Sequence, residues 1–356
     1  MAGGTGGHVF PALAVARRLL SGGWDVHWLG TQEGMEAEIV PKAGIPLHFI
    51  SIKGLRRKGR LAWVLAPFQI LGALYQSFRI ISQLKPNVVL GMGGFVSGPG
   101  GIASWLKGCP LVIHEQNAIV GLTNRFLARF ATVVLQAFPN AFHTKANAIY
   151  TGNPVRDELL VLPTPNERFK DRQGPLRLLI LGGSRGAIAL NEVCPKAIAQ
   201  IPLEVRPKIW HQAGGGQQEA TAKLYQASGV EAQVAPFIED MAVAYAWADL
   251  VLCRAGALTI TELATVGVGS ILVPFPFAVD DHQTYNGRFL EKINAAKLIA
   301  QSVLKPEYLA DIILDLTNDR HLLLKMAEAA YHEAKRDALN EVVNHCEETG
   351  NRAFKK

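Results

Sequence analysis

Three glycine clusters constrain how this chain can fold: GGTGGH (3–8), GMGGFVSGPGG (91–101) and GGSRGA (182–187). Glycine permits positive φ and close backbone approach, and a helix that follows such a turn offers free N–H groups to an anion. Around the clusters, short β-branched runs alternate with helical apolar periodicity, the pattern of βαβ units on a parallel sheet. Strand candidates are 25–30, 46–50, 87–91, 110–115 and 132–136, then 177–183, 207–212, 233–237, 249–254 and 270–276. Helical patterns fall at 11–21, 61–84, 121–130, 187–200, 218–228, 239–247, 258–266 and 283–294, with a longer stretch over about 306–349.

The strand, glycine turn and helix of RLLILGGSRGAIALNEV repeat the logic of the opening, so two α/β domains are expected. The first covers 1–160. Residues 161–175, VLPTPNERFKDRQGP, read as a linker because they are proline-rich, polar and aperiodic. The second covers 176–330, and 331–356 forms a helical tail expected to pack back on the first domain. Only Met1 and Ala2 precede the first glycine cluster, where a buried strand is expected. A form lengthened upstream by one strand is expected to be more stable.

Charge is uneven. Residues 1–160 hold 15 Lys and Arg against 7 Asp and Glu, and the remainder holds 21 against 23. The basic half predicts an anionic partner there. The cysteines Cys109, Cys194, Cys253 and Cys346 are scattered, with no CxxC pair, and read as reduced core thiols of a cytosolic protein. The N-terminus lacks the charged and apolar regions of a secretory signal, and no run is long and apolar enough to suggest a membrane span.

Any one glycine cluster could be no more than a tight strand–helix turn; three together favour phosphate binding. The dinucleotide fingerprint needs an acid about 20 positions beyond the glycines. Glu33 follows the second strand of the first half by several residues, and the corresponding IWHQAGGG of the second half has no carboxylate. A GxxxxGK[ST] loop is also missing. HEQN (114–117) stands at the carboxyl end of a strand, where open α/β sheets bind ligands. In CRAGALTITELATVG (253–267) a carboxylate, Glu262, follows a helix start. It suits ribose hydroxyls, or else is a solvated or capping charge. DDHQTYN (280–286) supplies His282, Gln283 and Asn286, which suit sugar hydroxyls.

GGTGGHVFPALAVA, GLRRKG, GMGGFVSGPGG, HEQNAIVGLTNR, GNPVR, GGSRGA, IWHQ, FIEDM, YAWADLVLCRAGALTITE and DDHQTYN, in this order, resemble the MurG family over residues 1 to about 300. These are UDP-N-acetylglucosamine:lipid I N-acetylglucosaminyltransferases. The resemblance implies a GT-B fold, two Rossmann-like doubly wound parallel-sheet domains with an interdomain cleft. It implies inverting transfer of GlcNAc from UDP-GlcNAc to the C4 hydroxyl of the muramoyl sugar of lipid I, giving lipid II. It also implies peripheral work at the cytoplasmic face of the bacterial inner membrane, with room for other cell-wall synthesis proteins as partners.

Residue by residue, the resemblance implies donor contacts from Thr5, Gly6, Gly7, Asn117, Arg156, Ser184, Ile238, Gly256, Ala257, Leu258, Thr259, Glu262, His282 and Gln283. Of these, Ile238 would meet uracil through its backbone and Glu262 would hold the ribose. Arg156 could instead make an interdomain salt bridge. Gly4, Gly93, Gly94 and Ser97 are plausible cradles for the acceptor diphosphate. No DxD-type pair is placed for a leaving-group metal, so no metal is obligatory and a divalent cation enters only as a stimulant. His8 is the first candidate for general base, since imidazole ordinarily titrates near neutrality. It could instead bind phosphate or serve a structural bond. Glu115 is the second candidate, with a structural acceptor as its alternative.

The segment 53–81 joins Lys53, Arg56, Arg57, Lys58 and Arg60 to an apolar helix. Val64, Phe68, Leu71, Tyr75 and Phe78 recur at helical spacing, with Trp63 among the residues that widen the stripe. Such a segment fits docking on an anionic membrane surface, or else a core helix beside a solvated loop. Nucleic acid is not an expected partner, because the basic residues lack interleaved aromatics. The rival readings are a dinucleotide-dependent oxidoreductase and a non-catalytic nucleotide-sugar-binding subunit.

Overall fold

The computed structural model describes residues 1–4, 6–52, 60–183 and 186–354, with backbone alone at 60–65, 279 and 353–354. The chain divides into two compact units, Met1–Val155 joined by the residues from Lys335 onward, and Arg156–Ala334.

The first unit runs α1 (Gly6–Ser21), β1 (Trp28–Gly30), α2 (Glu36–Lys42), β2 (Leu47–Phe49), α3 (Arg60–Leu84) and β3 (Val89–Gly91). It continues α4 (Ser97–Leu106), β4 (Leu111–Glu115), α5 (Leu122–Leu127), β5 (Val133–Gln136) and β6 (Ile149–Tyr150). Its parallel strands fall into a pair, β1–β2, and a four-stranded sheet, β3-β4-β5-β6. Between β1 and β3 the backbone of Met1 and Ala2 stands in for a strand. The Met1 amine donates to the Leu90 carbonyl at 2.8 Å, Met92 N–H donates to the Met1 carbonyl at 2.9 Å, and the Trp28 indole donates to Ala2 O at 2.9 Å. Beside them a cavity of about 240 Å³ is lined by apolar side chains including Val15, Leu19, Val26 and Val89.

The second unit runs α6 (Asp157–Leu160), α7 (Pro165–Lys170), β7 (Arg177–Leu181), α8 (Ile188–Ala199), β8 (Lys208–Gln212), α9 (Gln218–Ala227), β9 (Gln233–Ala235) and α10 (Met241–Trp247). There follow β10 (Leu250–Cys253), α11 (Ala257–Val266), β11 (Gly269–Leu272), α12 (His282–Glu291), β12 (Ala296–Leu298), α13 (Pro306–Asn318) and α14 (Arg320–Glu333). Its sheet is a continuous parallel one of order β12-β11-β10-β7-β8-β9. Leu178, Ile180, Leu250, Leu252 and Ile271 are completely buried in its core. The doubly wound order, with helices covering both faces of buried parallel strands, explains why these strands read as unbroken apolar runs.

Three expectations shift. Residues 161–175 are not a bare linker: Thr164 and Glu167 close a capping box on α7, and Arg168 donates to the carbonyls of Tyr245 and Val266. Arg172 pairs with buried Asp249 at 2.9 Å, so this stretch is bolted to the second unit, and that unit begins at Arg156. The long stretch after 306 is three helices, the last being α15 (Ala338–Phe354), which lies against α1 and β4. Finally, GMGGFVSGPGG is a loop only to Val96; α4 starts at Ser97 despite its glycines and proline.

Candidate active site

In the first unit two glycine turns meet. Gly6, Gly7 and His8 form the first turn of α1, earlier than the periodicity alone predicts. Gly4 donates its N–H to Glu36 Oε2 at 3.0 Å, and Glu36 Oε1 accepts the Thr31 N–H at 2.9 Å and the Thr31 hydroxyl at 2.8 Å. Glu36 is fully buried at the start of α2. From the other turn, Gly94 (φ 78°) approaches so closely that a Cβ there would stand 2.3 Å from the Gly3 carbonyl oxygen. A Cβ on Gly93 (φ 89°) would stand 2.8 Å from His8 Nδ1. Glycine at both positions is what lets the turns touch.

β4 delivers the HEQN side chains to the same place. His8 Nδ1 lies 2.8 Å from Gln116 Oε1, and Gln116 Nε2 lies 3.0 Å from His114 Nδ1. His114 is fully buried, and burial pushes its imidazole down to about 4. Glu115 is buried with both oxygens engaged. Oε1 accepts the N–H and side-chain amide of Asn117 at 3.0 and 3.2 Å, and Oε2 accepts Gly121 N–H at 3.1 Å and Asn124 Nδ2 at 2.9 Å. Glu115 thus holds the loop after β4, which is its structural alternative. Ser97 also differs from expectation: it is fully buried, and its hydroxyl donates to the Gly93 carbonyl at 2.7 Å. It shapes the turn from behind instead of presenting a hydroxyl to a diphosphate.

In the second unit β10 leads through Gly256, the N-cap of α11, into Ala257, Leu258 and Thr259. Helix geometry leaves the first N–H groups without intrahelical acceptors, and the dipole favours negative charge there. One turn on, Glu262 is buried, and the fully buried Tyr245 hydroxyl donates to its Oε2 at 3.1 Å. Burial pushes the Glu262 carboxyl up, while the charge of Arg156 pulls it back. Ile238 is buried after β9, and its N–H donates to Gln212 Oε1 at 2.9 Å, so that N–H is committed to the protein. Gln283, in the first turn of α12 after His282, accepts the Phe275 N–H at 2.8 Å through Oε1. Its side-chain NH₂ remains as the donor. Thr5 and Ser184 lie outside the described residues.

Of the docking residues, Arg56, Arg57 and Lys58 lie outside the described residues, as do the side chains of Arg60 and Trp63. Phe68, Leu71 and Tyr75 are 72%, 61% and 63% exposed on one face of α3. Phe78 departs from that face: it is half-buried, with Lys107 Nζ 4.3 Å from its ring centroid. The helix packs on α4, which adds exposed Trp105 and Leu106, while exposed Phe126 comes from α5. Lys107, Arg125 and Arg129 are exposed among them. Among the described residues no helix is long and apolar enough to cross a membrane.

The structure therefore groups His8, Gly93, Gly94 and Asn117 in one unit, and Glu262, Tyr245 and the start of α11 in the other. Glu36, Tyr245 and Trp105 carry no individual role in the sequence reading, and Gln116 enters it only within HEQN. Glu36 stands only three residues beyond Glu33, close to where the dinucleotide fingerprint calls for an acid. Trp105 was hidden because the glycines of α4 masked its helical period.

Two family models match the chain: the glycosyltransferase family 28 N-terminal domain over residues 1–136 and its C-terminal domain over 177–342. The chain is 53% identical over 351 residues to a Marinobacter nauticus UDP-N-acetylglucosamine–N-acetylmuramyl-(pentapeptide) pyrophosphoryl-undecaprenol N-acetylglucosamine transferase, covering 99% of this chain and 97% of the relative. A Hahella chejuensis protein of the same name is 54% identical over 346 residues, covering 97% and 96%. Among solved structures, Acinetobacter baumannii MurG matches with TM-score 0.85 and 46% identity over 98% of each chain. The glycotransferase of kitacinnamycin matches at TM-score 0.69 and 16% identity, covering 96% of each chain, which is likeness of fold alone.

Proposed function

This chain belongs to glycosyltransferase family 28 and, within it, to the MurG family, and from that premise we propose how its residues divide the work. It is a hexosyltransferase of GT-B fold. It moves GlcNAc from UDP-GlcNAc to the C4 hydroxyl of the muramoyl sugar of lipid I with inversion, giving lipid II. Neither rival reading, oxidoreductase or non-catalytic subunit, has an observation in its favour.

The observation that carries the division is in the second unit, where Glu262 follows the open N-terminus of α11 by one turn. The carboxyl group suits the two ribose hydroxyls and the amides of 257–259 suit a diphosphate. Ile238 contributes its carbonyl to the uracil, and Gln283, beside His282, donates to sugar hydroxyls. Thr5, Gly6, Gly7 and Asn117 are further donor contacts, and Gly4, Gly93 and Gly94 cradle the acceptor diphosphate. His8 is the base. Its imidazole takes the hydroxyl proton as the oxygen attacks the anomeric carbon, and UDP departs with the bonding electron pair. Charge on the departing diphosphate is stabilised by the α11 amides and by Arg156, worth several kcal/mol where water is excluded. With that field in place no metal is obligatory, and a divalent cation only stimulates.

The enzyme docks peripherally on the anionic cytoplasmic face of the inner membrane. Exposed Phe68, Leu71, Tyr75, Trp105, Leu106 and Phe126, interspersed with Lys107, Arg125 and Arg129, support this reading. Apolar side chains enter the interface, and each near-surface cation adds about 1 kcal/mol.

The test is UDP release from UDP-GlcNAc, with and without a lipid I analogue in anionic or neutral vesicles. Release should require the analogue, be faster on anionic vesicles and survive chelation. Glu262→Ala should lose donor binding, whereas His8→Ala should bind donor and lose turnover by about 10²-fold or more. Unimpaired donor binding in Glu262→Ala would sink the donor assignment.

A further inference from the structure

We propose that Gln116 and His114 are positioning residues that fix the tautomer of His8, leaving its Nε2 bare to accept the proton of the attacking hydroxyl. The proposal rests on the reading of His8 as the base. Its starting point is a carbonyl. His114 Nε2 lies 2.9 Å from the Gly152 oxygen, and a carbonyl only accepts, so this nitrogen carries the hydrogen. Buried His114 stays neutral at physiological pH, its imidazole being pushed down to about 4, so its Nδ1 is a bare acceptor.

The group 3.0 Å from that Nδ1 must then be a donor, which makes it the NH₂ of Gln116. The same NH₂ donates to the His114 carbonyl at 3.1 Å. The other arm of Gln116 is therefore its oxygen, 2.8 Å from His8 Nδ1. An amide oxygen only accepts, so His8 Nδ1 donates. A neutral imidazole has one N–H, and the lone pair is left on Nε2. The hydrogen positions thus follow from the chemistry at the Gly152 end of the chain of bonds.

The surroundings hold this chain of bonds in place. Asn153 Nδ2 donates to the Gln116 carbonyl at 3.0 Å. Gly93 leaves room for the pair, since a Cβ there would also stand 3.4 Å from Gln116 Oε1. Without the relay, His8 would populate the tautomer with hydrogen on Nε2, which faces a hydroxyl with a donor and cannot take its proton.

Nitrogen-15 NMR of the histidine-labelled full chain at neutral pH tests this directly. His8 and His114 signals are assigned from His8→Gln and His114→Gln. The expected spectrum has His8 protonated on Nδ1 and His114 protonated on Nε2. Gln116→Leu should move His8 toward the Nε2–H form and lower kcat about 10- to 100-fold, with KM for UDP-GlcNAc within about twofold. Gln116→Glu, which again offers His8 an acceptor, should recover part of kcat. A wild-type His8 protonated on Nε2, or an unchanged kcat in Gln116→Leu, overturns the relay. If Gln116→Leu does not fold, the wild-type spectrum decides alone. Full kcat in His8→Gln would instead overturn the base assignment beneath it, and the wild-type tautomers would still be read independently.

Discussion

The second unit builds one continuous six-stranded parallel sheet, whereas the strands of the first fall into a pair and a four-stranded sheet. In the second, β7 sits in the middle of the sheet, bonded to β8 on one side and β10 on the other along four or more residue pairs. Its glycine turn hangs from that strand. In the first, the equivalent place lies between β1 and β3, and Met1 and Ala2 are what reach into it. The difference teaches that a glycine turn can be held by two kinds of support. In the second unit the support is backbone, with Gly182 N–H donating to the Gln212 carbonyl at 3.0 Å. In the first it is partly side chain, through Glu36 and the Trp28 indole. A turn held that way keeps its geometry while the sheet behind it stays parted.

The largest effect should come from closing the gap. Fusing a strand-forming apolar stretch ahead of Met1 would fill the 240 Å³ cavity and pair the facing edges of β1 and β3. A closed apolar cavity of that size would give about 6 kcal/mol at roughly 24 cal/mol per Å³, and this one, open and lined in part by Asp25, His27 and Lys85, should give less. Calorimetry should show the transition of the first unit rising by several degrees while that of the second stays put. Equal melting of the extended and original chains would mean that the parted sheet is no weakness.

Proton linkage separates the units next. Burial lowers the Met1 amine from 8.0 to about 5 and the His114 imidazole to about 4 in the first unit, and the His211 imidazole to about 3 in the second. Each is a base kept neutral when folded, so the unfolded chain binds the extra proton and stability falls as pH falls. The amine acts between pH 8 and 5, His114 between 6.5 and 4, and His211 between 6.5 and 3. Between pH 8 and 6.5 only the first unit should therefore soften. The amine's full contribution is about 4 kcal/mol by pH 5. Melting curves that slope equally for both units above pH 6.5 would remove the amine as the cause.

How much of this was legible in the sequence follows from where the physics is local. β4, β7, β8 and β10 were readable because a parallel strand buried on both faces is a continuous apolar run. The missed strands β6 and β12 are two and three residues long, too short to show a period. α7 was lost in a proline-rich stretch because its anchors, Tyr245, Val266 and Asp249, are distant in sequence. At the site, Glu262 and His8 were marked by their motifs. The proximity of His8 to Gln116 spans 108 residues and is invisible without the fold. Ser97 and Phe78 show the same limit: the motif gives residue type, and packing decides which way the side chain turns.

The smallest effect isolates the side-chain support itself. Glu36 accepts from Gly4 N–H, Thr31 N–H and the Thr31 hydroxyl, with no exposure to water. In Glu36→Gln one of the two acceptor oxygens becomes an NH₂ aimed at a donor, whichever way the amide turns. If it faces Gly4, one bond is lost; if it faces Thr31, the N–H there is unpaired while the hydroxyl can rotate and accept. Either way one buried backbone donor loses its partner, which costs about 1–3 kcal/mol. The loss should appear in the transition of the first unit alone, with faster amide exchange at Gly4 or Thr31. No such backbone donor hangs on a carboxyl group in the Gly182–Gln212 support, so the second unit should not respond. If Glu36→Gln melts like the parent, the first glycine turn is held by Met1 and Ala2 after all, and the contrast between side-chain and backbone support fails.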